Sequence, residues 1–372
     1  MKSVYKICKT VCLSFGAIVG AGYLSGAELV CFFGAKGYAV GLIISCVTFI
    51  VGYELSVAVK TVQSKFLRFA TTVSLFITFS GMLAVTDSVF PIKLNGKNLP
   101  VFSVVTIIMS VVLTKDGISG VEKFNSALSP IIIVGTVVSL FFCGALRIDD
   151  CFAGGGFEGV IKAISFSLSN VFLSYSQIKE NTANFSKKEK LVAIVVSSVV
   201  LTVFAFYILA CVSTEYVLCE NPLIYSVNGF GKQVISVCVF LASFGSAVTF
   251  FYPLRNVAQR FGKTGVFSVC SLSLAFSFLG VTTVIKYAYP VIGVFGGTLV
   301  FKNIVVLSRS GRIKIPRLTI ISRIKSERGT NMSNKNKKKN KVAKLTEEDY
   351  NNYIMAMKDE KPPVLIRKNK PV

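Results

Sequence analysis

The sequence predicts an all-α membrane protein with ten transmembrane helices, and three observations support this fold class. Hydrophobic residues occupy 52% of the 372 positions, which exceeds the usual share in a soluble domain. Apolar runs of roughly 20 residues recur up to residue 306, and each is long enough to cross the hydrocarbon core as a helix. Basic residues instead dominate the remaining segment, so we predict a membrane domain over 1–306 and a cytoplasmic tail over 307–372.

The predicted spans run in alternating directions across the membrane. They cover residues 10–33, 37–59, 67–89, 98–114, 126–145, 159–178, 190–212, 233–253, 264–281 and 284–306. Connections on one side contain 14 lysine and arginine residues, whereas those on the other side contain five. Because basic loops stay in the cytoplasm, we expect both termini of this cell-membrane protein to be cytoplasmic. The first run continues to full length without a small-residue cleavage site, so we expect it to be retained.

The composition disfavours several classes of chemistry. The sequence contains no histidine, which excludes histidine catalysis and the usual histidine metal sites. Its ten cysteines are scattered singly through apolar runs, as expected of small buried side chains. It also lacks a G-x-x-x-x-G-K-[ST] phosphate-binding motif. We therefore expect neither an enzyme nor a cofactor, apart from a coupling Na⁺ or H⁺.

Glycines interrupt the first predicted span. The segment GAIVGAGYLSGAE contains Gly16, Gly20, Gly22, Gly26 and Glu28. The glycines could form a small-residue face for close helix packing, or they could mark a break that lines a binding site. Gly22 lies off the face of Gly16 and Gly20, and an ionisable residue at membrane depth is a functional-site hypothesis by default. We therefore favour the break.

The same segment resembles the opening helix of the YkvI-like family of bacterial integral membrane proteins, with its G-A-G-aromatic-x-S-G-x-E core. A second stretch, KYAYPVIGVFGG (286–297), is similar to the Lys-x-Tyr-Pro, small-residue-rich last helix of that family, although Ala288 intervenes between two tyrosines here. The resemblance extends over the ten spans and leaves out the tail. The family looks like a branch of the amino acid–polyamine–organocation group of secondary transporters, which have the LeuT fold.

This resemblance implies two inverted repeats of five helices, with helices 1 and 6 discontinuous at the bilayer midplane. In a discontinuous helix, one half presents amides to an anionic group and the other half presents carbonyls to a cation. The residues that we predict to bind substrate are Gly20, Ala21, Gly22, Tyr23, Ser25, Gly26, Glu28, Asn170 and Ser174.

Span 6 is unusually polar, and its segment SFSLSNVFLSYSQ contains five serines and Asn170. These side chains could line a cavity, or the serines could bond back to their own helix. Asn170 differs from the serines because a side-chain amide in the membrane needs a hydrogen-bond partner. The resemblance also implies an asparagine in this helix.

Hydroxyl side chains also occur at regular spacing in span 8. Ser243, Ser246 and Thr249 share one helix face, and similar sodium-coupled proteins have a sodium site between spans 1 and 8. We therefore predict that Gly20 and Tyr23 join these hydroxyls in binding a cation. Helix packing through small residues is the alternative.

The last span begins with a lysine and aromatic residues. Lys286, Tyr289 and Pro290 could form an outer gate with Glu28, with Lys286 pairing to its carboxylate. A snorkelling lysine in an interfacial aromatic belt is the alternative. Pro290 and the glycines that follow it could also let this span hinge.

The tail carries a net charge of +12, and its segment NMSNKNKKKNKVAK has almost no apolar residues. We expect it to be largely disordered, either solvated or in contact with anionic lipids, with no nucleic acid bound.

The leading prediction is a secondary transporter that moves an amino acid or related amine by alternating access. The alternative is a transporter-fold sensor that signals to a partner through the tail.

Overall fold

The computed structural model describes residues 2–34, 36–59, 65–94, 97–143, 149–152, 156–216, 219, 221–280 and 283–309. These residues are mostly helical. Their α-helices are α1 (Lys2–Ile18), α2 (Ala21–Leu24), α3 (Ala27–Phe33), α4 (Tyr38–Ala58), α5 (Lys65–Val89), α6 (Val101–Leu113), α7 (Ile118–Leu140), α8 (Phe157–Asn181), α9 (Lys187–Cys211), α10 (Pro222–Ser226), α11 (Gly229–Ala258), α12 (Gly262–Ser277) and α13 (Tyr289–Arg309). Short 3₁₀ helices span Asp149–Phe152, Thr214–Tyr216 and Gln259–Phe261, and a π-helical turn spans Val284–Ala288.

Six helical segments in the described part of the chain are long and apolar enough to cross a membrane. They are Tyr38–Ala58, Lys65–Val89, Ile118–Leu140, Lys187–Cys211, Gly229–Ser277 and Val284–Ser308. The segment Gly229–Ser277 has 49 residues and contains both α11 and α12, which Gly262 separates with a φ of 74°. A positive φ is open to glycine at little cost, so the chain can change direction there. The protein is therefore a multi-pass membrane protein.

Helix 1 is discontinuous, as the glycine cluster predicts. The helix from Lys2 ends at Ile18, a single turn follows at Ala21–Leu24, and helix resumes at Ala27. Gly20 is extended, with φ −87° and ψ −171°, and Gly26 is left-handed, with φ 83°. Glycine lowers the cost of the left-handed conformation at Gly26.

Helix 6 was expected to be discontinuous as well, and that expectation is wrong. The helix α8 runs without interruption from Phe157 to Asn181. Its polar side chains donate back to carbonyls one turn earlier: Ser167 to Ala163, Ser169 to Ser165, Asn170 to Phe166 and Ser174 to Asn170. The helix interior beyond Gly159 contains neither glycine nor proline. Nothing in the sequence of α8 therefore favours unwinding.

A small β-hairpin corrects the all-α expectation in the connection between α5 and α6. Its strands are β1 (Ile92–Leu94) and β2 (Lys97–Leu99), which pair antiparallel with Ile92 opposite Leu99. The next helix begins at Val101, three residues after the predicted start of span 4 at residue 98. Asp87, at the end of α5, accepts hydrogen bonds from the amides of Phe102 (3.0 Å) and Ser103 (3.2 Å). This carboxylate therefore satisfies the free amides at the start of α6.

Helices α8 and α13 pack closely because glycines face the contact. A Cβ at Gly293 or Gly296 would overlap atoms of Ser165 or Leu168 on α8. The glycines that the sequence suggested for a hinge in the last span thus serve close helix packing. The tail beyond Arg309 lies outside the described residues, so its predicted disorder stays a prediction.

Candidate functional site

The break in helix 1 is the centre of the candidate site. The regular hydrogen-bond ladder stops after Val19, whose amide donates to Phe15, and the Gly20 amide donates instead to Ile18 at 2.8 Å. Helical bonding resumes when Leu24 and Ser25 donate to Gly20 and Ala21. Backbone that leaves the helix at membrane depth must line a cavity or pack against protein, and Ala21, Tyr23 and Leu24 are all buried.

Two neighbouring helices flank Gly20 closely. A Cβ at this position would lie 2.9 Å from the sulfur of Met82 on α5 and 3.1 Å from the hydroxyl oxygen of Ser246 on α11. A side chain larger than hydrogen would therefore displace one of these groups. The glycine brings the extended backbone into contact with a polar group of α11.

Glu28 is buried within the protein beside the break. Its side chain lies in the first turn of α3 and is 1% exposed. Asn170 Nδ2 of α8 donates to its Oε1 at 3.4 Å, and the side chain of Tyr289 on α13 also interacts with the carboxylate. Glu28 forms no ion pair with any residue that the structure describes. The structure therefore brings Glu28, Asn170 and Tyr289 together around a carboxylate that lacks a cationic partner.

Ser174 lies one turn beyond Asn170 on α8. Its hydroxyl donates to the Asn170 carbonyl at 2.5 Å and shares a hydrogen bond with the Tyr53 hydroxyl of α4 at 2.6 Å. Ser174 is fully buried. These contacts give Ser174 two protein partners and fix the polar face of α8 against α4.

The second half of the break is tied to its surroundings by two backbone acceptors. Tyr23 donates its hydroxyl to the Leu201 carbonyl of α9 at 2.5 Å. The amide of Leu223, in α10, donates to the Ser25 carbonyl at 2.8 Å. The Ser25 hydroxyl makes a longer contact with the Gly22 carbonyl at 3.4 Å. The Tyr23 side chain is therefore anchored to α9. The sequence predicted that Tyr23 contacts a cation through its backbone, and that stays a prediction.

The predicted pairing of Lys286 with Glu28 is wrong. Lys286 is exposed, and its Nζ lies 5.5 Å from the ring centroid of Tyr287. This is the snorkelling, aromatic-belt arrangement that was the alternative. Tyr289 instead faces Glu28, while Pro290 is exposed in the first turn of α13. Of the predicted gate residues, only Glu28 and Tyr289 meet.

The three hydroxyl groups of α11 are buried, and Ser246 contacts helix 1 directly. Ser246 donates to the Gly16 carbonyl at 2.8 Å, and Thr249 donates to the Gly245 carbonyl of its own helix at 2.8 Å. The Ser243 hydroxyl is buried without a hydrogen-bond partner among the described residues. The Ser246 contact therefore brings one span 8 hydroxyl to the last turn before the break.

Two buried amides that the sequence did not single out lie beside these hydroxyls. Asn125 Nδ2 of α7 donates to the Thr249 hydroxyl oxygen at 2.9 Å, and Gln177 Nε2 of α8 donates to the Thr249 carbonyl at 3.1 Å. Both side chains are fully buried. The same reasoning that singled out Asn170, that an amide in lipid needs a partner, would have identified both of them.

No family model and no curated protein matches the sequence. Solved structures do match the fold. The chain is similar to Mhp1, a nucleobase-cation-symport-1 family transporter solved in a closed conformation with bromovinylhydantoin bound, with a TM-score of 0.57 and 16% identity over 82% of this chain and 79% of that one. Two further matches are MhsT in complex with L-phenylalanine (TM-score 0.49, 14% identity, 78% and 87% covered) and inward-facing Mhp1 (0.48, 15%, 81% and 77%).

The similarity to closed Mhp1 establishes the overall fold. At 16% identity it carries no residue correspondence and no substrate to this chain. The membrane helices of this protein, with helix 1 broken beside a buried carboxylate, are arranged in the LeuT fold.

Proposed function

We propose that this protein is a secondary transporter that moves an amino acid or a related amine across the membrane by alternating access. The observation that carries this proposal is the break in helix 1 beside Glu28, a carboxylate buried without an ion pair among the described residues. The similarity of its fold to that of the transporter Mhp1 supports the proposal.

The environment of Glu28 favours a cationic ligand. Burying a carboxylate without a cation costs several kcal/mol, and a neutral amide and a phenol offset only part of that cost. A substrate ammonium group, or a proton, would supply the missing positive charge. An amino acid would also place its carboxylate near the backbone amides of Ala21 and Gly22 at the start of α2.

We further propose that the chain forms ten spans in a 5+5 inverted repeat. The first repeat comprises broken helix 1 (α1 to α3) with α4, α5, α6 and α7. The second comprises α8, α9, α11, α12 and the last span, which includes α13. The short helix α10 would lie outside the membrane between α9 and α11, where its five residues are too few to cross it.

Coupling by sodium or by protons fits different parts of this site. The hydroxyls of Ser246 and Thr249 are hard oxygen ligands of the kind that sodium prefers, and Ser246 contacts the last turn of α1. A proton would instead bind at Glu28. An experiment can distinguish sodium coupling from proton coupling because a gradient of either ion can be imposed alone.

Uptake into proteoliposomes tests the proposal. The purified full chain is reconstituted, and uptake of a panel of radiolabelled amino acids and amines is measured with a sodium gradient, a proton gradient or neither. We expect at least one amine-bearing solute to accumulate only when a gradient is present. Liposomes without protein are the control. A panel that binds to the protein but does not accumulate under any gradient would argue for the sensor instead.

A further inference from the structure

An apolar groove of about 480 Å³ runs between α6 and α12, away from the break in helix 1. Side chains one turn apart line it on each helix: Val104, Ile108 and Val112 on α6, and Val266, Cys270 and Leu274 on α12. The three from α6 are between 39% and 56% exposed. The groove is therefore open toward the outside of the helix bundle, where the acyl chains of a membrane lie.

The length of the groove corresponds to about half the thickness of a membrane. On α12 the lining extends from Lys263 to Leu274, which is about 16 Å of helix at 1.5 Å per residue. The hydrocarbon core of a bilayer is about 30 Å thick, so the acyl chains of one leaflet extend about 15 Å. The groove thus has the length of an acyl chain in a single leaflet.

One end of the groove is positively charged. Lys263 lines this end, is exposed, and forms no ion pair with any residue that the structure describes. Arg260 lies three residues before it, and Lys115 follows the end of α6 with Asp116 beside it. The other residues that line the groove are uncharged. The charge bias of the loops predicts that this cationic end lies at the cytoplasmic surface.

We propose that the groove binds an acyl chain of a phospholipid from the cytoplasmic leaflet, with Lys263 in contact with its anionic head group. Acyl chains are as apolar as the lining side chains, so the groove contributes mainly van der Waals packing and distinguishes poorly between lipids. Selectivity for a negatively charged head group comes from the lysine. This inference concerns a surface outside the transport site and does not depend on the proposed function.

Protection of Cys270 from alkylation reports on the groove directly. Cys270 lines the groove and is partly exposed, whereas Cys31 is exposed on helix 1 and lies outside it. The full chain is purified in a neutral detergent and titrated with phosphatidylglycerol or with phosphatidylcholine of the same acyl chains. Peptide mass spectrometry then measures how fast a lipid-soluble maleimide labels each cysteine. We expect phosphatidylglycerol to slow the labelling of Cys270 but not of Cys31, and at a lower concentration than phosphatidylcholine.

Lys263→Gln tests the contact with the head group. This variant removes the charge and keeps most of the length of the side chain. The half-protecting concentration of phosphatidylglycerol should rise about fivefold, the effect of one basic residue at an anionic membrane surface. Lys123→Gln is the matched control, because Lys123 is exposed on α7 at the same predicted side of the membrane but does not line the groove. This control should titrate like wild type.

A second pair of variants tests the contact with the acyl chain. Val104 lines the groove, whereas its neighbour Val105 is exposed on α6 and does not line it. Phosphatidylglycerol should raise the melting temperature of wild type, because a ligand that binds only the folded state stabilises it. Val104→Trp should reduce this increase by filling part of the groove, and Val105→Trp should keep it.

The outcomes decide between a bound lipid and other occupants. The inference is overturned if phosphatidylglycerol leaves the labelling of Cys270 unchanged, or if both lipids protect it equally well in wild type. A Lys263→Gln variant that titrates like wild type overturns it too, whether or not the tryptophan variants fold. Protection that depends on protein concentration instead of lipid concentration would assign the groove to a second copy of the chain.

Discussion

Glu28 is the residue on which the proposed function depends most. The sequence identified it as an ionisable group inside an apolar run, and the structure buries it beside Asn170 and Tyr289. Sequence alone did not identify Tyr289 as its neighbour in place of Lys286. The two residues are three positions apart in the last span, and a π-helical turn covers Val284–Ala288 just before Tyr289. A π-helical turn leaves no clear pattern in one sequence.

Glu28→Gln should abolish most transport of an amine-bearing solute while the protein still folds. The variant keeps the shape of the side chain but removes its charge, and losing one partner of a buried ionic contact costs about 2 kcal/mol or more, a decrease of about 30-fold or more in kcat/KM. Uptake kinetics in proteoliposomes would measure this loss.

The control for that variant is Glu54→Gln. Glu54 lies on α4 but is exposed, so its neutralisation should leave uptake close to wild type. Equal losses in both variants would contradict a specific role for Glu28.

Other residues of the site show what sequence reasoning can reach. Asn170 was identified because an amide in lipid needs a partner, and the structure gives it Glu28 as well as the Phe166 carbonyl. Asn125 and Gln177 were missed even though the same reasoning applies to them. Asn125 lies just before the predicted start of span 5 at residue 126, and Gln177 ends the serine-rich segment of span 6, in which Asn170 drew the attention. The fold brings both amides to Thr249.

At the scale of helices, the two breaks that were expected had different outcomes. Helix 1 is broken, and its own glycines and Glu28 predicted this. Helix 6 is continuous, and its break was expected only from resemblance to a transporter group. Serine and asparagine that bond back to their own helix are compatible with an intact ladder. The local sequence was thus the better guide to where backbone unwinds.

The start of α1 is tied to neighbouring helices by polar contacts. Lys9 forms an ion pair with Glu122 of α7 at 3.2 Å, and Thr10 donates to Asn181 Oδ1 of α8 at 2.8 Å. Tyr252 of α11 donates to Glu180 of α8 at 3.0 Å. These contacts hold the ends of four helices together on the side that the charge bias predicts to be cytoplasmic. We interpret them as a closed inner gate.

Lys9→Ala should shift the protein toward an inward-open state. A partly exposed ion pair contributes up to about 1 kcal/mol, so the open population should rise by at most about fivefold. Cys12 lies on the same helix and is partly buried, so its alkylation rate by a thiol reagent should rise with that population.

The matched control for this gate is Lys162→Ala. Lys162 pairs with Glu158 at 2.8 Å, but both residues lie on α8 and the pair is largely exposed. Its loss should leave the labelling of Cys12 unchanged. If Lys9→Ala also leaves it unchanged, the ion pair does not hold the gate closed.

At the scale of the whole molecule, composition and hydropathy were sufficient for a membrane protein but not for the number of spans. Six segments in the described ranges pass a length and hydropathy criterion. The criterion misses helix 1 because its break divides it into short helices. It also misses α6, whose 13 residues extend only about 20 Å. The criterion also misses α8, because the polar side chains along this helix lower its hydropathy. The residues that we propose for the site therefore make the span harder to detect.

Truncation after residue 309 should leave uptake unchanged. The last described helix ends at Arg309, so this truncation removes only the segment for which the sequence predicts a disordered tail. Uptake in proteoliposomes, compared with the full chain at equal reconstituted protein, is the measurement. Transport that survives while a cellular phenotype disappears would favour the sensor hypothesis.

The hydrogen bond from the Leu223 amide to the Ser25 carbonyl has a consequence for the whole molecule. This bond joins α10 directly to the second half of the break in helix 1. We place α10 outside the membrane. A displacement of α10 should therefore move the backbone near Glu28 directly, and no long helix needs to move with it. A peptide or antibody that binds α10 from the aqueous side should therefore alter solute affinity without contacting Glu28.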